Sequence, residues 1–226
     1  MPYKSDSAAI RHLAIIMDGN GRWAESKGLP RVAGHKQGAE TFRKIAYYCR
    51  DIGLDYLTVY AFSTENWKRD KLEVNAILRL LEDYLEEAAE KMSQEGIRLK
   101  AIGDLDPLSK RAKALIAKTE VLSAGLSGFQ VNLCVNYGGR GELVRAAKLS
   151  SETGRDVADC LDTAGIPDPD LLIRAGGEKR LSNFLLWQCA YTELYFTDKF
   201  WPDFTDADVD EAIAEFNCRS RRFGGL

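Results

Sequence analysis

Asp18, Asn20 and Arg22 stand two residues apart from one another, spaced by Gly19 and Gly21 and followed by Trp23, directly after the apolar run 13–17. An acid, an amide and a guanidinium make a donor and acceptor set suited to a phosphate ester, and the carboxylate could share Mg²⁺ with phosphate oxygens. The glycines let a ligand approach the main chain. Three further apolar runs end in similar cargo: Ser63, Glu65, Asn66, Trp67 and Arg69; Asn136 and Arg140; and Arg174, Arg180 and Ser182. One such arginine is ordinarily a solvated surface residue. A series of them at strand ends points to an anion site, because guanidinium forks match phosphate oxygens. No G-x-x-x-x-G-K-[ST] and no G-x-G-x-x-G with its later acid is present, so the expected ligand is a phosphate without a nucleotide base. His35, in Gly34-His35-Lys36 at a helix start, is ordinarily a cap, but its ring could donate to phosphate or relay a proton. Asp18 and Glu193 are the metal-ligand candidates, and no Asp-Asp-x-x-Asp cluster accompanies them.

Those residues need a parallel sheet to bring them together. Apolar, β-branched runs predict strands at about 12–17, 56–62, 97–103, 129–135, 170–174 and 193–196. Helices are expected at about 22–27, 35–52, 73–94, 107–122, from 141 to about 149, at 184–188 and from about 205 onward. Alternation of this kind implies an α/β fold, one domain over 1–226 with a central, mostly parallel six-stranded sheet flanked by helices. Ligands then bind at the carboxyl ends of the strands. Residues 1–11 are polar and expected to be loosely held. The stripe Val74, Ile77, Leu78, Leu80, Leu81, Tyr84, Leu85, Ala88 and Met92 is wider than a one-sided helix needs. Either that helix packs on two sides or part of it lines an apolar tunnel.

The chain has 226 residues, 45% hydrophobic and 29% charged, with a formal net charge of −3. That balance is globular and offers no basic field for nucleic acid. Five cysteines are scattered without a C-x-x-C pair, so buried thiols are expected rather than zinc or redox chemistry. No signal-like or membrane-spanning apolar run is present, and a cytoplasmic protein is expected.

The segments Ile16-Met17-Asp18-Gly19-Asn20-Gly21-Arg22-Trp23, Gly34-His35-Lys36 with Gly38, and Tyr60-Ala61-Phe62-Ser63-Thr64-Glu65-Asn66-Trp67 with Arg69 closely resemble the cis-prenyltransferases. So do Asn136 to Arg140, Asp170 to Arg174, Arg180-Leu181-Ser182-Asn183 through Gln188, Glu193 to Phe196, Trp201 to Phe204, and Arg221 to Gly225, in collinear order from about residue 11. The resemblance is greatest to bacterial members that make undecaprenyl diphosphate. It implies addition of isopentenyl diphosphate units to farnesyl diphosphate, each with a cis double bond, by a Mg²⁺-dependent homodimer that touches the inner membrane face to release product. It also implies that Asp18 works with Mg²⁺, with Glu193 as second ligand. Gly19, Asn20, Gly21, Arg22, Arg31 and His35, with Trp23 beside them, would hold the allylic diphosphate. Arg174, Arg180 and Ser182, flanking Leu181, would hold isopentenyl diphosphate. Asn66 would serve proton removal, with Ser63, Thr64, Glu65, Trp67 and Arg69 around it.

The chain departs from the family pattern at Ala175, where many relatives carry Thr, and at Asp70, often Pro, which should loosen the following loop. The stretch 149–166 is also short for the family. Phe129 and Ala61 are the candidates for a tunnel floor that sets product length. The competing readings are a shorter or longer product, a non-catalytic partner subunit, which the intact acidic and basic residues disfavour, and a nucleotide-phosphate module, which the missing motifs disfavour.

Overall fold

The computed structural model describes residues 10–91 and 95–219. Readings made at residues 1–9, Met92, Arg221 and Arg222 lie outside the described residues. Aliphatic and aromatic runs form β1 (His12–Ile16), β2 (Tyr56–Ser63), β3 (Arg98–Ile102), β4 (Gln130–Tyr137), β5 (Leu171–Arg174) and β6 (Glu193–Phe196). They pair in the order β3-β4-β2-β1-β5-β6, and every pair is parallel. Burial on both faces explains why the Leu13–Ile16 part of β1 and the Leu171–Ile173 part of β5 read as apolar stretches rather than alternating ones, while β4, buried throughout, carries Gln130, Asn132 and Asn136 as well.

The helices are α1 (Asn20–Ser26), α2 (Arg31–Asp51), α3 (Lys71–Lys91), α4 (Lys110–Ser123), α5 (Gly139–Thr153) and α6 (Asp206–Cys218). The main core joins Leu13, Ile15, Leu57 and Val59 of the sheet to Ile45 of α2, Leu85 of α3, Ile116 of α4 and Phe216 of α6. A second cluster on the other face packs Ala14, Ile16, Cys134 and Leu172 against Phe184 and Leu185. After β1 the chain builds outward on one side of that strand, and it later places β5 and β6 on the other. The crevice between the ends of β1 and β5 is therefore a topological switch point, where open α/β sheets bind ligands.

Four local expectations change. α2 starts at Arg31 rather than at 35, because Pro30, with φ −58°, leads the chain straight into the helix. Arg31 and His35 thus fall one turn apart on one helix face. No helix covers 184–188: Ser182, Asn183 and Leu185 have φ of 49°, 65° and 45°, which breaks α-helical winding, and a 3₁₀ turn forms only at Gln188–Tyr191. Asp70 does not loosen its loop. Its Oδ1 accepts the Leu72 N–H at 2.8 Å and its carbonyl accepts Val74 N–H, so it caps α3. Ile10 and Arg11 are held, Ile10 buried and the Arg11 amide bonded to Asp170 Oδ2 at 2.9 Å.

Cys49, Cys134 and Cys160 are buried free thiols, and Cys189 is partly buried. His12, to which the sequence gives no role, is buried between Pro167 O (2.6 Å) and Thr58 Oγ1 (2.7 Å).

Candidate active site

A cavity of about 700 Å³ opens at the carboxyl ends of β1, β2 and β5, beneath α2 and α3. Its two ends differ in chemistry. Asp18, His35, Asn66, Arg69, Arg174 and Ser182 line one end; Phe42, Ala61, Ile77, Leu81, Tyr84 and Leu133 line the other. Part of the α3 stripe therefore faces the cavity, while Leu85 and Ala88 of the same helix pack in the core. Ala61 is left out of the β2–β4 register at a bulge between Tyr60 and Phe62, which turns this small residue toward the cavity.

The polar end is built around Asp18. Its Oδ2 accepts Arg174 Nη2 at 2.9 Å, its Oδ1 accepts the Gly19 N–H at 2.6 Å, and Arg22 Nη2 lies 3.3 Å from Oδ1. Burial pushes the Asp18 carboxyl up, but the hydrogen bonds from Arg174 and Gly19 outweigh it and hold the group below the usual carboxylate range. Arg174 is 3% exposed. It also donates through Nη1 to Ser182 Oγ at 2.8 Å and to the Arg180 carbonyl, while its Nε has no partner. The corner needs glycine twice. At Gly19 (φ 98°) a Cβ would stand 2.6 Å from Phe200, and at Gly176 (φ 86°) 2.9 Å from Arg22 Nη2.

Glu73, on the first turn of α3, gathers the remaining basic groups. It accepts from Arg31 Nε at 2.9 Å, His35 Nε2 at 3.0 Å and Arg69 Nη1 at 2.8 Å. Burial raises its pKa, but the Arg31 and His35 hydrogen bonds and the Arg69 charge bring it down to about 2. Burial lowers the His35 pKa more than Glu73 raises it, leaving a ring that is neutral at neutral pH. Asn20 is fixed by close packing of α1 on α2: a Cβ at Gly34 would lie 1.9 Å from Asn20 O, and one at Gly38 2.1 Å from Asn20 Oδ1.

The segment after β2 forms a capping box. The Asn66 side chain accepts the Ser63 N–H at 3.0 Å. An N–H can only point at an oxygen, so the amide is turned with Oδ1 toward the Ser63 backbone and Nδ2 away from it. Glu65 Oε1 accepts Asn183 Nδ2 at 2.9 Å, Thr64 Oγ1 lies 3.2 Å from Glu65 Oε2, and Trp67 donates to Asn136 Oδ1 at 2.8 Å.

Several expected residues stand elsewhere. Glu193 is the first residue of β6, three before Phe196, the register partner of Arg174. At about 3.3 Å per residue it lies about 10 Å below that level, and its carboxylate is paired with Arg219 at 2.7 Å. Asp18 and Glu193 of one chain are not brought together. Among the described residues no group of three His, Cys, Asp or Glu side chains is placed to hold a metal. Trp23 donates to Asp203 Oδ1 at 2.7 Å beneath Lys27, outside the cavity lining. Gly21 packs against Arg31, whose Cζ would be 2.5 Å from an added Cβ. Leu181 packs with the second cluster, Arg140 is exposed, and Phe129 is buried in the core without reaching the cavity. Sequence reasoning missed Glu73 and Asn183. Glu73 was findable as an acid four residues after Arg69 at a helix start; Asn183 needed its left-handed backbone to be seen.

A family profile described as "Putative undecaprenyl diphosphate synthase" matches residues 16–224. The chain belongs to that cis-prenyltransferase family. An isoprenyl transferase of Wolinella succinogenes is 50% identical over 96% of this chain and 97% of its own length. One from Aquifex aeolicus is 48% identical over 94% and 95%. Among solved structures, lavandulyl diphosphate synthase from Lavandula x intermedia, in complex with dimethylallyl diphosphate, superposes with a TM-score of 0.91 at 39% identity, covering 96% of this chain and 98% of that one. A probable undecaprenyl diphosphate synthase from Campylobacter jejuni gives 0.82 at 38% identity, covering 96% and 99%. Family membership agrees with a cavity that is polar at one end and apolar at the other, as a prenyl diphosphate requires.

Proposed function

We propose that this prenyltransferase condenses isopentenyl diphosphate units onto farnesyl diphosphate with cis double bonds. The product is a polyprenyl diphosphate of undecaprenyl type, the lipid-carrier precursor of cell-wall synthesis. The observation that carries this reading is the Asp18–Arg174–Ser182 contact at the mouth of an apolar cavity of about 700 Å³. Arg22, Arg31 and His35, with Gly19, Asn20 and Gly21, serve the allylic diphosphate; Arg69, expected around Asn66, joins them in this reading because it shares Glu73 with Arg31 and His35. Arg174, Arg180 and Ser182 serve isopentenyl diphosphate.

Asp18 suits Mg²⁺ held jointly with substrate oxygens: it is an ionised oxygen donor facing the cavity with no second carboxylate bonded to it. Mg²⁺ bound there would neutralise charge on the diphosphates. The arginines hold the leaving diphosphate as the allylic C–O bond breaks. The terminal double bond of isopentenyl diphosphate then supplies the electrons of the new C–C bond, and a proton leaves its C2. Asn66, an amide, is too weak a base to take that proton. Its Nδ2 instead orients a diphosphate oxygen or a water that takes it. The apolar wall holds the hydrocarbon and excludes water.

A homodimer is part of this reading, with exposed Trp187 and Tyr191, next in the chain to edge strand β6, as apolar area for it. So is a cytoplasmic enzyme with transient membrane contact; among the described residues no helix is long and apolar enough to cross a membrane. Incubation with farnesyl diphosphate and labelled isopentenyl diphosphate tests the reading. Label is expected in butanol-extractable product with Mg²⁺ and not with chelator. No extractable label, with or without detergent, counts against it.

A further inference from the structure

Glu73 is a carboxylate set among groups assigned to a polyanion, where Coulomb repulsion alone would disfavour it. It is 8% exposed and takes hydrogen bonds from Arg31, His35 and Arg69 at 2.9, 3.0 and 2.8 Å. Arg31 is also held by Glu25 at 2.5 Å, so two of its five N–H groups are taken and the others remain for a ligand. The Arg31 and Arg69 side chains are 45% and 37% exposed. Without the carboxylate between them, two like charges would repel and swing into solvent. Glu73 also belongs to the helix whose Ile77, Leu81 and Tyr84 line the apolar end of the cavity.

We infer that Glu73 is a positioning residue for the allylic diphosphate: it holds Arg31 and Arg69 as one donor set, fixes the His35 ring beside them, and ties the group to the helix forming the hydrocarbon wall. The inference rests on the reading of those three residues as diphosphate-binding. It gives Glu73 no contact with substrate, and it makes the effect of its loss specific to one of the two substrates. Isopentenyl diphosphate, read as bound by Arg174, Arg180 and Ser182, has none of its ligands on Glu73.

Steady-state kinetics separate the cases, with farnesyl diphosphate varied at saturating isopentenyl diphosphate and then the converse. The proteins are wild type, Glu73→Gln, Glu73→Asp, Arg31→Gln and the Arg31→Gln/Glu73→Gln double variant. Glu73→Gln is expected to raise KM for farnesyl diphosphate about tenfold or more, with KM for isopentenyl diphosphate changed by less than about twofold. Glu73→Asp keeps the charge but is too short to reach all three donors, and is expected to give a smaller rise confined to the same substrate. In the Arg31→Gln background, Glu73→Gln is expected to add less than it does alone, because the two act as one unit. A KM for farnesyl diphosphate that falls or stays the same in Glu73→Gln overturns the inference, showing a repelling acid rather than an organising one. Equal rises for both substrates overturn it as well. If Glu73→Gln does not fold, Glu73→Asp decides by the same criterion of one substrate or both. A wild type without turnover removes the functional reading and this inference together; an active wild type with an unaltered Glu73→Gln removes this inference alone.

Discussion

Tyr84 closes the apolar end of the cavity and is expected to limit product length. Its ring packs on Phe42 with centroids 5.0 Å apart, and the Arg43 guanidinium lies 5.9 Å from its centre. Beyond it, between α2 and α3, is a void of about 20 Å³ that Tyr84 also lines, together with Arg43, Tyr47 and Ile97. A chain growing from the polar end meets this aromatic pair. Burying one more five-carbon unit is worth about 4 kcal/mol at roughly 0.8 kcal/mol per carbon. A unit blocked by the packed Tyr84–Phe42 pair forgoes that gain and must also force the wall, at about 1–3 kcal/mol or more, so a rigid ring can stop growth that an open path would allow. Tyr84→Ala joins the cavity to the void behind it and is expected to lengthen the main product by at least one five-carbon unit. The same change should cost about 3–5 kcal/mol of stability, so Tyr84→Leu serves as the milder variant. Products are dephosphorylated and sized by reversed-phase thin-layer chromatography or mass spectrometry. If both variants are folded and active and give the wild-type ladder, Tyr84 is not the floor and the reasoning from the cavity is wrong.

Other expectations follow from the same contacts. Asp18→Ala should lower kcat on the order of 10³-fold and, by leaving buried Arg174 without its carboxylate, cost about 1–3 kcal/mol in a urea melt; near-wild-type turnover would refute the role given to Asp18. Gly34→Ala places a Cβ 1.9 Å from Asn20 O. It should destabilise by about 1–3 kcal/mol or more and weaken farnesyl diphosphate binding by displacing α1, whereas an unchanged KM would show that α1 tolerates the shift. His12 supplies a pH test. Burial lowers its pKa from 6.5 to about 4, so between those values the unfolded chain binds the extra proton and stability falls as pH falls. From pH 7 to pH 5 the loss should be about 2 kcal/mol from this residue. His12→Gln should remove that share of the slope in urea melts, and an unaltered slope would contradict the assignment. Glu73, with a pKa of about 2, keeps its contribution over this range and loses it only in stronger acid.

Much of the fold was readable because parallel strands buried on both faces leave plain apolar runs, and the polar residues after them mark one edge of the sheet. Asp18, Arg174 and Ser182 were legible that way, since chain order and a parallel sheet suffice to bring strand ends together. The opposite edge was not. Glu193 reads as a carboxylate of the right type, but its place at the start rather than the end of β6 puts it below the site and against Arg219. The cavity floor was also hidden, because Phe129 and Tyr84 look alike as buried aromatics and only packing of α3 on α2 shows which one faces the cavity. Glu73 lay in plain view as a helix-start acid, yet its meaning depends on Arg31 and His35 arriving from another helix. The turn at 182–185 defeated a helical reading because left-handed backbone at Ser182, Asn183 and Leu185 is set by tertiary contacts such as Asn183 with Glu65 and Arg140.

The central claim is cis elongation at the Asp18–Arg174 corner. The most direct test is to incubate the protein with farnesyl diphosphate, ¹³C-labelled isopentenyl diphosphate and Mg²⁺, and to read double-bond geometry and chain length of the dephosphorylated product by NMR and mass spectrometry. The expected result is a polyprenol carrying the farnesyl trans bonds followed only by new cis bonds, its formation lost in Asp18→Ala. New trans bonds, or no elongated product, would contradict the account.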